Sequence, residues 1–329
     1  MNGLPISVAG WGLALPDARL SNADLEARVD TNDDWIVERT GIRERRIAAP
    51  GETTSTLGAT AATDAIKRAG LSPTDIDLLV VATSTPDTPM PHTGAHIGEL
   101  LGLRCGSFDL NAACAGFVYE FVVGASLMNA GYEHVLVVGA ETMSRITDPE
   151  DRSTVILFGD GAAAAVLSRS TGAPGLLGWD LGCDGSSAAL IEIPAGGSRA
   201  PASATTVAER GHFMRMQGQE VFRRAVRALV DSSTITLASA GVSIDDVAWF
   251  VPHQANLRIV EAAAKRLGFT PDRTIANIEH YGNTSSASIP LALFEAVEDG
   301  RVEDGDLVLC AGVGAGLTWG SVLIRWGQG

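Results

Sequence analysis

Apolar residues along this chain come in two textures. Short unbroken runs have the length and β-branched content of strands buried on both faces. They are DIDLLVVATS from Asp75, EHVLVVGAE from Glu133, GAAAAVLSR from Gly161, VAWFVPHQA from Val247, GDLVLCAGV from Gly305 and LTWGSVLIR from Leu317. Longer stretches with helical spacing lie between them: TLGATAATDAIKRAG from Thr56, and GFVYEFVVGASLMNAG from Gly116, the second too long and apolar for a surface helix. Residues 6 to 12 predict a first strand, and SNADLEARV a helix capped by Ser21 or Asn22. By contrast, DTNDDWIVERTGIRERRIAAPGE from Asp30 is polar and charged, with Trp35 set among Asp33, Asp34, Arg39, Arg43, Arg45 and Arg46. It reads either as a solvated excursion with one anchoring Trp, or as a platform on which an aromatic ring and arginines hold a nucleotide.

The pattern repeats. GLSPTDIDLLVVATS from Gly70 returns as GVSIDDVAWFVPHQA from Gly241. In the same order EHVLVVGAE faces GDLVLCAGV, the helix after Cys114 faces the one opened by GNTSSASIPLALFEAV, and both series close on similar strands. Several matches in one order point to a gene duplication. Each half reads strand, helix, strand, helix, strand, strand. That predicts an α/β fold of two mixed sheets with helices between and outside them, a duplicated five-layer αβαβα arrangement. The halves divide as residues 1–172 and 173–329, within the loosened stretch from Thr171 to Gly178. Pro194 to Gly211, without helical or strand period, predicts a loop over the body.

A hydrophobic content of 46% over 329 residues supports a substantial core, and no apolar run approaches the length that spans a bilayer. The opening MNGLPISVAGWG has no Lys or Arg ahead of its apolar residues and reads as a strand rather than a signal peptide, so the cytoplasm is expected. Cys105, Cys114, Cys183 and Cys310 show neither CxxC spacing nor a framework pattern, which argues against a zinc site and a disulfide scaffold. A formal charge of −15 argues against general nucleic-acid binding, so an acidic partner needs a local basic patch. His92 and His96 with Glu99 mimic a metal-binding helix face, but no HExxH is present and the pair reads as solvated.

Candidate chemistry centres on FDLNAACAGF, Phe108 to Phe117, which joins a short strand, a small-residue turn and a cysteine where the apolar helix begins. A helix N-terminus favours a thiolate at Cys114; a small core residue is the other reading. Its partners separate the two. The repeat carries His253 to the end of a strand in VPHQAN and Asn283 to the mouth of the second half's central helix. A Cys, a His and an Asn from related loops that converge at one end point to nucleophilic catalysis.

FDLNAACAGF, FGDGAAAAVL, VPHQAN, GNTSSASIP, GAGLTWGS and DWIVERTGIRERR together resemble, over nearly the whole chain, the β-ketoacyl-acyl-carrier-protein synthase III family. The resemblance implies a thiolase-like fold, a homodimer and the first condensation of fatty-acid synthesis. In that reaction an acyl-CoA primer joins malonyl-acyl-carrier protein, with loss of carbon dioxide, through an acyl-Cys114 intermediate. Acyl-CoA is a substrate, and no cofactor or metal is implied. His253 Nε2–H and the Asn283 amide would stabilise the enolate, and the backbone N–H groups of Cys114 and Ala315 an oxyanion. Ala315 replaces the middle of three glycines common in the family. The CoA adenine would lie between Trp35 and Arg152, with Thr31 and Arg39 nearby, and Gly218 and Asn256 along the pantetheine tunnel. Gln219 stands where the family often has Asn. Met143, Phe158, Met216 and a Met90 reaching across the dimer would form the acyl pocket, the flexible Met90 predicting a modest or branched primer. Arg223, Arg258, Lys265 and Arg266 would face the acidic carrier protein.

Neighbouring readings differ at particular residues. Thiolases and hydroxymethylglutaryl-CoA synthases deprotonate an acetyl group with an added Cys or Glu base, whereas GVGAGLTWG contains no Cys and ATSTPDTPM no Glu. A starter-unit acyltransferase of the same fold, which transfers without condensing, is the nearest alternative, and the presence of both His253 and Asn283 favours condensation. A papain-like hydrolase shares the Cys, His, Asn order but lacks the local signature and does not fit the duplication. A dinucleotide loop in GVGAG fails because too few residues follow to complete a βαβ unit. A non-catalytic binding module leaves the three converging residues unexplained.

Overall fold

The structure, a computed structural model, describes residues 3–170, 172 and 175–327. Strands apolar on both faces require cover on both sides, and the chain supplies it in five layers. The first sheet contains β1 (Ile6–Ala14), β2 (Leu78–Ala82), β3 (Gly106–Leu110), β4 (His134–Thr142) and β5 (Asp160–Arg169), in spatial order β1-β5-β4-β2-β3. The second contains β6 (Leu176–Cys183), β7 (Trp249–Pro252), β8 (Leu307–Gly314) and β9 (Thr318–Arg325), in order β6-β9-β8-β7. In each sheet two antiparallel ladders are followed by a parallel one. Where β3 extends the first sheet, the second has one parallel bridge from Phe250 to Thr274. The motif order that predicted a duplication is thus present in the topology.

The longer helices are α1 (Asp33–Thr40), α2 (Thr54–Arg68), α3 (Thr93–Leu101), α4 (Gly116–Met128), α5 (Gly218–Ala240), α6 (Leu257–Leu267) and α7 (Ser288–Glu298). α4 and α7 run between the sheets and touch both, which is why neither has a polar face. α2 and α3 cover the outer side of the first sheet, while α5 and α6 cover that of the second. Small residues set the spacing. A Cβ on Gly12 would lie 2.1 Å from the Ala61 carbonyl, so α2 approaches β1 only over glycine.

Four details depart from the sequence reading. The charged stretch after Asp30 contains α1, started by the Asn32 side chain on the Trp35 N–H (2.9 Å) and stopped by Gly41 at φ 77°. Within the same stretch Arg45 is fully buried, donating to Asn22 Oδ1 (2.7 Å) and to the Ile156 and Leu20 carbonyls; burial pushes its pKa down to about 10. The expected loop from Pro194 to Gly211 contains a short helix, Ala204–Ala208, because Ser203 and Thr206 cap each other's backbone. His92 and His96 are half-buried rather than solvated, since α3 packs on β3; His92 Nε2 lies 2.9 Å from Ser107 Oγ. Of the expected boundary between the halves, Thr171, Ala173 and Pro174 lie outside the described residues. No helix among the described residues is long and apolar enough to cross a membrane.

Candidate active site

Two turns of the same shape meet where α4 and α7 begin. After β3 the chain enters a 3₁₀ turn, Ala113–Ala115, in which Ala113 takes the left-handed φ of 46°, and α4 follows. The corresponding turn before α7 is Ser285–Ala287, with Ser285 at φ 49°. Asn111 Oδ1 accepts the Ala113 N–H (3.0 Å), and the Thr318 hydroxyl lies 2.9 Å from both the Ala112 and Ala315 carbonyls, tying the glycine loop to the turn. Gly314 is obligatory here, because a Cβ would sit 2.5 Å from the Cys114 nitrogen.

Cys114, His253 and Asn283 line one cavity of about 590 Å³. Asn283 is clamped on both sides: its N–H donates to the Leu157 carbonyl (2.8 Å), and its own carbonyl accepts the Gly159 N–H (3.0 Å). Its side-chain oxygen accepts the Ser285 N–H at 2.8 Å, so the Nδ2 amide is the group that faces the cavity as a donor, where it reaches the Cys114 thiol. His253 follows β7, its N–H bonded to the Ala311 carbonyl (2.8 Å) and its Nδ1 lying 2.6 Å from Ser288 Oγ. Burial pushes its pKa down to about 3, so the ring is neutral.

The thiol behaves otherwise than a helix N-terminus alone predicts. Burial, and to a lesser extent the nearby Glu141 carboxylate, push Cys114 up to about 12 against the pull of hydrogen bonds from Ser285, its own backbone and Asn283. A helix end is worth up to about 2 kcal/mol, too little to reverse that. Glu141 is itself fully buried, its carboxyl raised by desolvation and held by Thr85, Ser286 and Ser84.

Among the other expected site residues, Ala315, Trp35, Arg39, Gly218, Asn256, Met143, Phe158, Met216 and Arg258 line the cavity, as does Gln219. Thr31, Arg152, Met90, Arg223, Lys265 and Arg266 do not. Arg152 and Arg39 instead pack on the Trp35 ring, at 4.9 and 4.8 Å from its centroid. An inserted base would need about 7 Å between Trp35 and Arg152, so the expected sandwich is closed. Thr31 keeps a buried hydroxyl. Met90 is 87% exposed on this chain. Arg258, Lys265 and Arg266 project from α6, and Arg223 pairs with Glu220 on α5. Sequence reasoning missed Ser285, Ser288, Glu141 and the apolar wall of Ile146, Ile156, Leu157, Met214 and Leu317. The serines of GNTSSAS were the visible signal. Among the described residues no group of three or more His, Cys, Asp and Glu side chains is placed to hold a metal ion.

Comparison with known proteins agrees across the chain. Residues 108–185 match the family profile "3-Oxoacyl-[acyl-carrier-protein (ACP)] synthase III", and residues 237–326 that of its C-terminal part. The beta-ketoacyl-[acyl-carrier-protein] synthase III of Symbiobacterium thermophilum is 48% identical over 326 residues, covering 98% of this chain and 99% of the relative. The crystal structure of 3-oxoacyl-[acyl-carrier-protein] synthase III from Aquifex aeolicus superposes with a TM-score of 0.90 at 41% identity, over 98% of this chain and 100% of that one. The priming beta-ketosynthase of the R1128 polyketide pathway gives 0.92 at 37% identity, over 100% and 98%. With full-length identity of this order and the thiolase-type architecture in place, the chain belongs to the 3-oxoacyl-[acyl-carrier-protein] synthase III family.

Proposed function

We propose that this enzyme joins an acyl-CoA primer to malonyl-acyl-carrier protein with loss of carbon dioxide, giving a 3-oxoacyl-acyl-carrier protein. The observation that carries the reading is the convergence of Cys114, His253 and Asn283 on one cavity inside a condensing-enzyme fold. The Cys114 sulfur attacks the thioester carbon, the backbone N–H groups of Cys114 and Ala315 take the oxyanion, and CoA leaves with the proton the thiol gives up. Malonyl thioester then loses carbon dioxide, and the electron pair of the broken C–C bond moves onto the thioester oxygen. His253 Nε2–H and Asn283 Nδ2–H donate to that oxygen. The resulting carbanion attacks acyl-Cys114 and expels the Cys114 thiolate. Burial makes the neutral His253 ring a weak base, which suits donation from its N–H rather than proton abstraction, and decarboxylation needs no base.

Met143, Phe158 and Met216 bound the acyl chain, and an exposed Met90 suits a residue offered to a partner's pocket in a homodimer. β3, paired on one side only by β2, offers that partner a strand edge. Trp35 and Arg152, with Thr31 and Arg39, receive the CoA nucleotide once Arg152 swings off the ring. Gly218 and Asn256 line the pantetheine path, and Arg223, Arg258, Lys265 and Arg266 present cations to an acidic carrier protein. The reaction uses acyl-CoA as substrate and needs no resident cofactor. The cytoplasm, where free thiols stay reduced, suits a nucleophilic cysteine.

The test is incubation with a panel of acyl-CoAs, from acetyl to medium and branched chains, followed by intact mass with and without malonylated carrier protein. A Cys114 adduct consumed with carbon dioxide release supports the reading. An adduct that transfers without decarboxylation would favour the starter-unit acyltransferase.

A further inference from the structure

His253 can donate at Nε2 only if its single ring proton sits there, and the neighbouring hydrogen bonds decide which nitrogen holds it. Ser288, in the first turn of α7, is 1% exposed, as is His253. Among the described residues, the Ser288 hydroxyl oxygen has two hydrogen-bond partners: His253 Nδ1 at 2.6 Å and the Gln254 N–H at 3.4 Å. The Gln254 N–H can only donate. Were Nδ1 protonated as well, Ser288 would receive two donors, and its own buried proton would have no acceptor among the described residues, a loss buried hydroxyls rarely sustain. The remaining arrangement satisfies every group. Ser288 accepts from Gln254 and donates to Nδ1, and the ring proton is left on Nε2.

We propose that Ser288 is a positioning residue that fixes the tautomer of His253, keeping Nε2 a hydrogen-bond donor toward the cavity. The proposal rests on the reading of His253 as an enolate-stabilising donor, and it sharpens that reading. With its proton on Nε2, His253 cannot accept the Cys114 proton there, so acylation proceeds without it as base.

The test begins with the wild-type enzyme labelled with ¹⁵N-histidine, using two-bond ¹H–¹⁵N correlations at neutral pH and His253→Ala to assign the ring. Protonated Nε2 with an accepting Nδ1 is expected. A protonated Nδ1 would overturn the proposal and assign His253 to deprotonating Cys114. Ser288→Ala should lower condensation about tenfold relative to Cys114 acylation, the worth of one hydrogen bond, and leave the ring in a mixture of tautomers. Ser288→Thr should restore much of both. A folded Ser288→Ala enzyme with unchanged condensation and an unchanged ring spectrum would refute the role of Ser288. If Ser288→Ala does not fold, the wild-type spectrum still decides. Failure of the underlying reading looks different: His253→Ala would itself condense normally.

Discussion

Replacing Gly314 with alanine tests whether the glycine loop and the Cys114 turn work as one piece. The added Cβ would lie 2.5 Å from the Cys114 nitrogen, 2.9 Å from the Ala113 Cβ and 3.2 Å from the Cys114 Cα. Ordinary contact begins at 3.4 Å, so something must move by about 1 Å. The three atoms belong to the turn that carries the proposed nucleophile and one proposed oxyanion donor, and a misplacement of that size costs roughly 100-fold in rate, about 2.7 kcal/mol. Overpacking adds a stability loss of about 1–3 kcal/mol. The assay is the rate of acyl-adduct formation on Cys114 by intact mass, alongside denaturant unfolding. Gly185→Ala serves as the control, because nothing lies within 4 Å of its Cβ position. A folded Gly314→Ala enzyme that acylates within a few-fold of wild type would refute the claim that the two segments are sterically locked.

An unfolded His253 takes up a proton below about pH 6.5, whereas the buried ring stays neutral down to about 3, so the unfolded state binds more protons and stability falls as the pH drops through that window. From pH 7 to 5 the loss is about 2 kcal/mol; unfolding midpoints should show it in wild type and not in His253→Gln. The same neutrality predicts that condensation shows no acid limb near 6.5 from this residue, which a rate profile checks. Glu120 sits fully buried in α4 with Oε2 accepting the Ala82 N–H and Oε1 without a hydrogen-bond partner among the described residues, and burial raises its carboxyl well above the usual range. Glu120→Gln should therefore stabilise the fold more at pH 9 than at pH 6, as seen by thermal melts, because the unfolded carboxyl ionises freely while the buried one holds its proton, so wild-type stability falls as the pH rises. Arg152→Ala removes one face of the proposed nucleotide site and should raise KM for acyl-CoA about fivefold, in the range of a cation–π contact, while an acyl-pantetheine without adenine shows no such change.

The elements most legible in the sequence were those whose environment leaves little choice. β4 and β5 are buried along nearly their whole length, and α4 and α7 are enclosed by two sheets, so unbroken apolar runs marked all four. α1 was hidden because its residues are charged, although Asn32 before it and Gly41 after it were ordinary start and stop signals. Arg45 read as surface since nothing in a sequence reveals that Asn22 and backbone carbonyls will enclose a guanidinium. In the site, Cys114, His253 and Asn283 were found through the repeat, which fixes topology. The thiol's pKa was not, because a helix N-terminus is a local property, whereas burial of the thiol, the charge of Glu141 and the hydrogen bond from Ser285 all come from tertiary packing. Ser288 was overlooked for a similar reason: a serine in a first helical turn reads as a cap until a histidine from another strand is seen beside it.

The paired turns at Ala113 and Ser285 bear on how such a site originates. Each half brings the same left-handed corner to the same seam, and they touch closely enough that a Cβ on Gly116 would meet the Ser286 Cβ at 2.9 Å. One corner presents the Cys114 sulfur, the proposed nucleophile, while its counterpart presents the serine hydroxyl of Ser286, turned to Glu141 instead. A symmetric ancestor with two equal corners would have set nucleophile against nucleophile. Under the proposed mechanism the two corners divide the labour, the first carrying the attacking sulfur and the second lying beside the Asn283 and His253 donors. The two corners share a backbone shape and differ in what they carry: Ala113, Cys114 and Gly116 on one side, Ser285, Ser286 and Ser288 on the other.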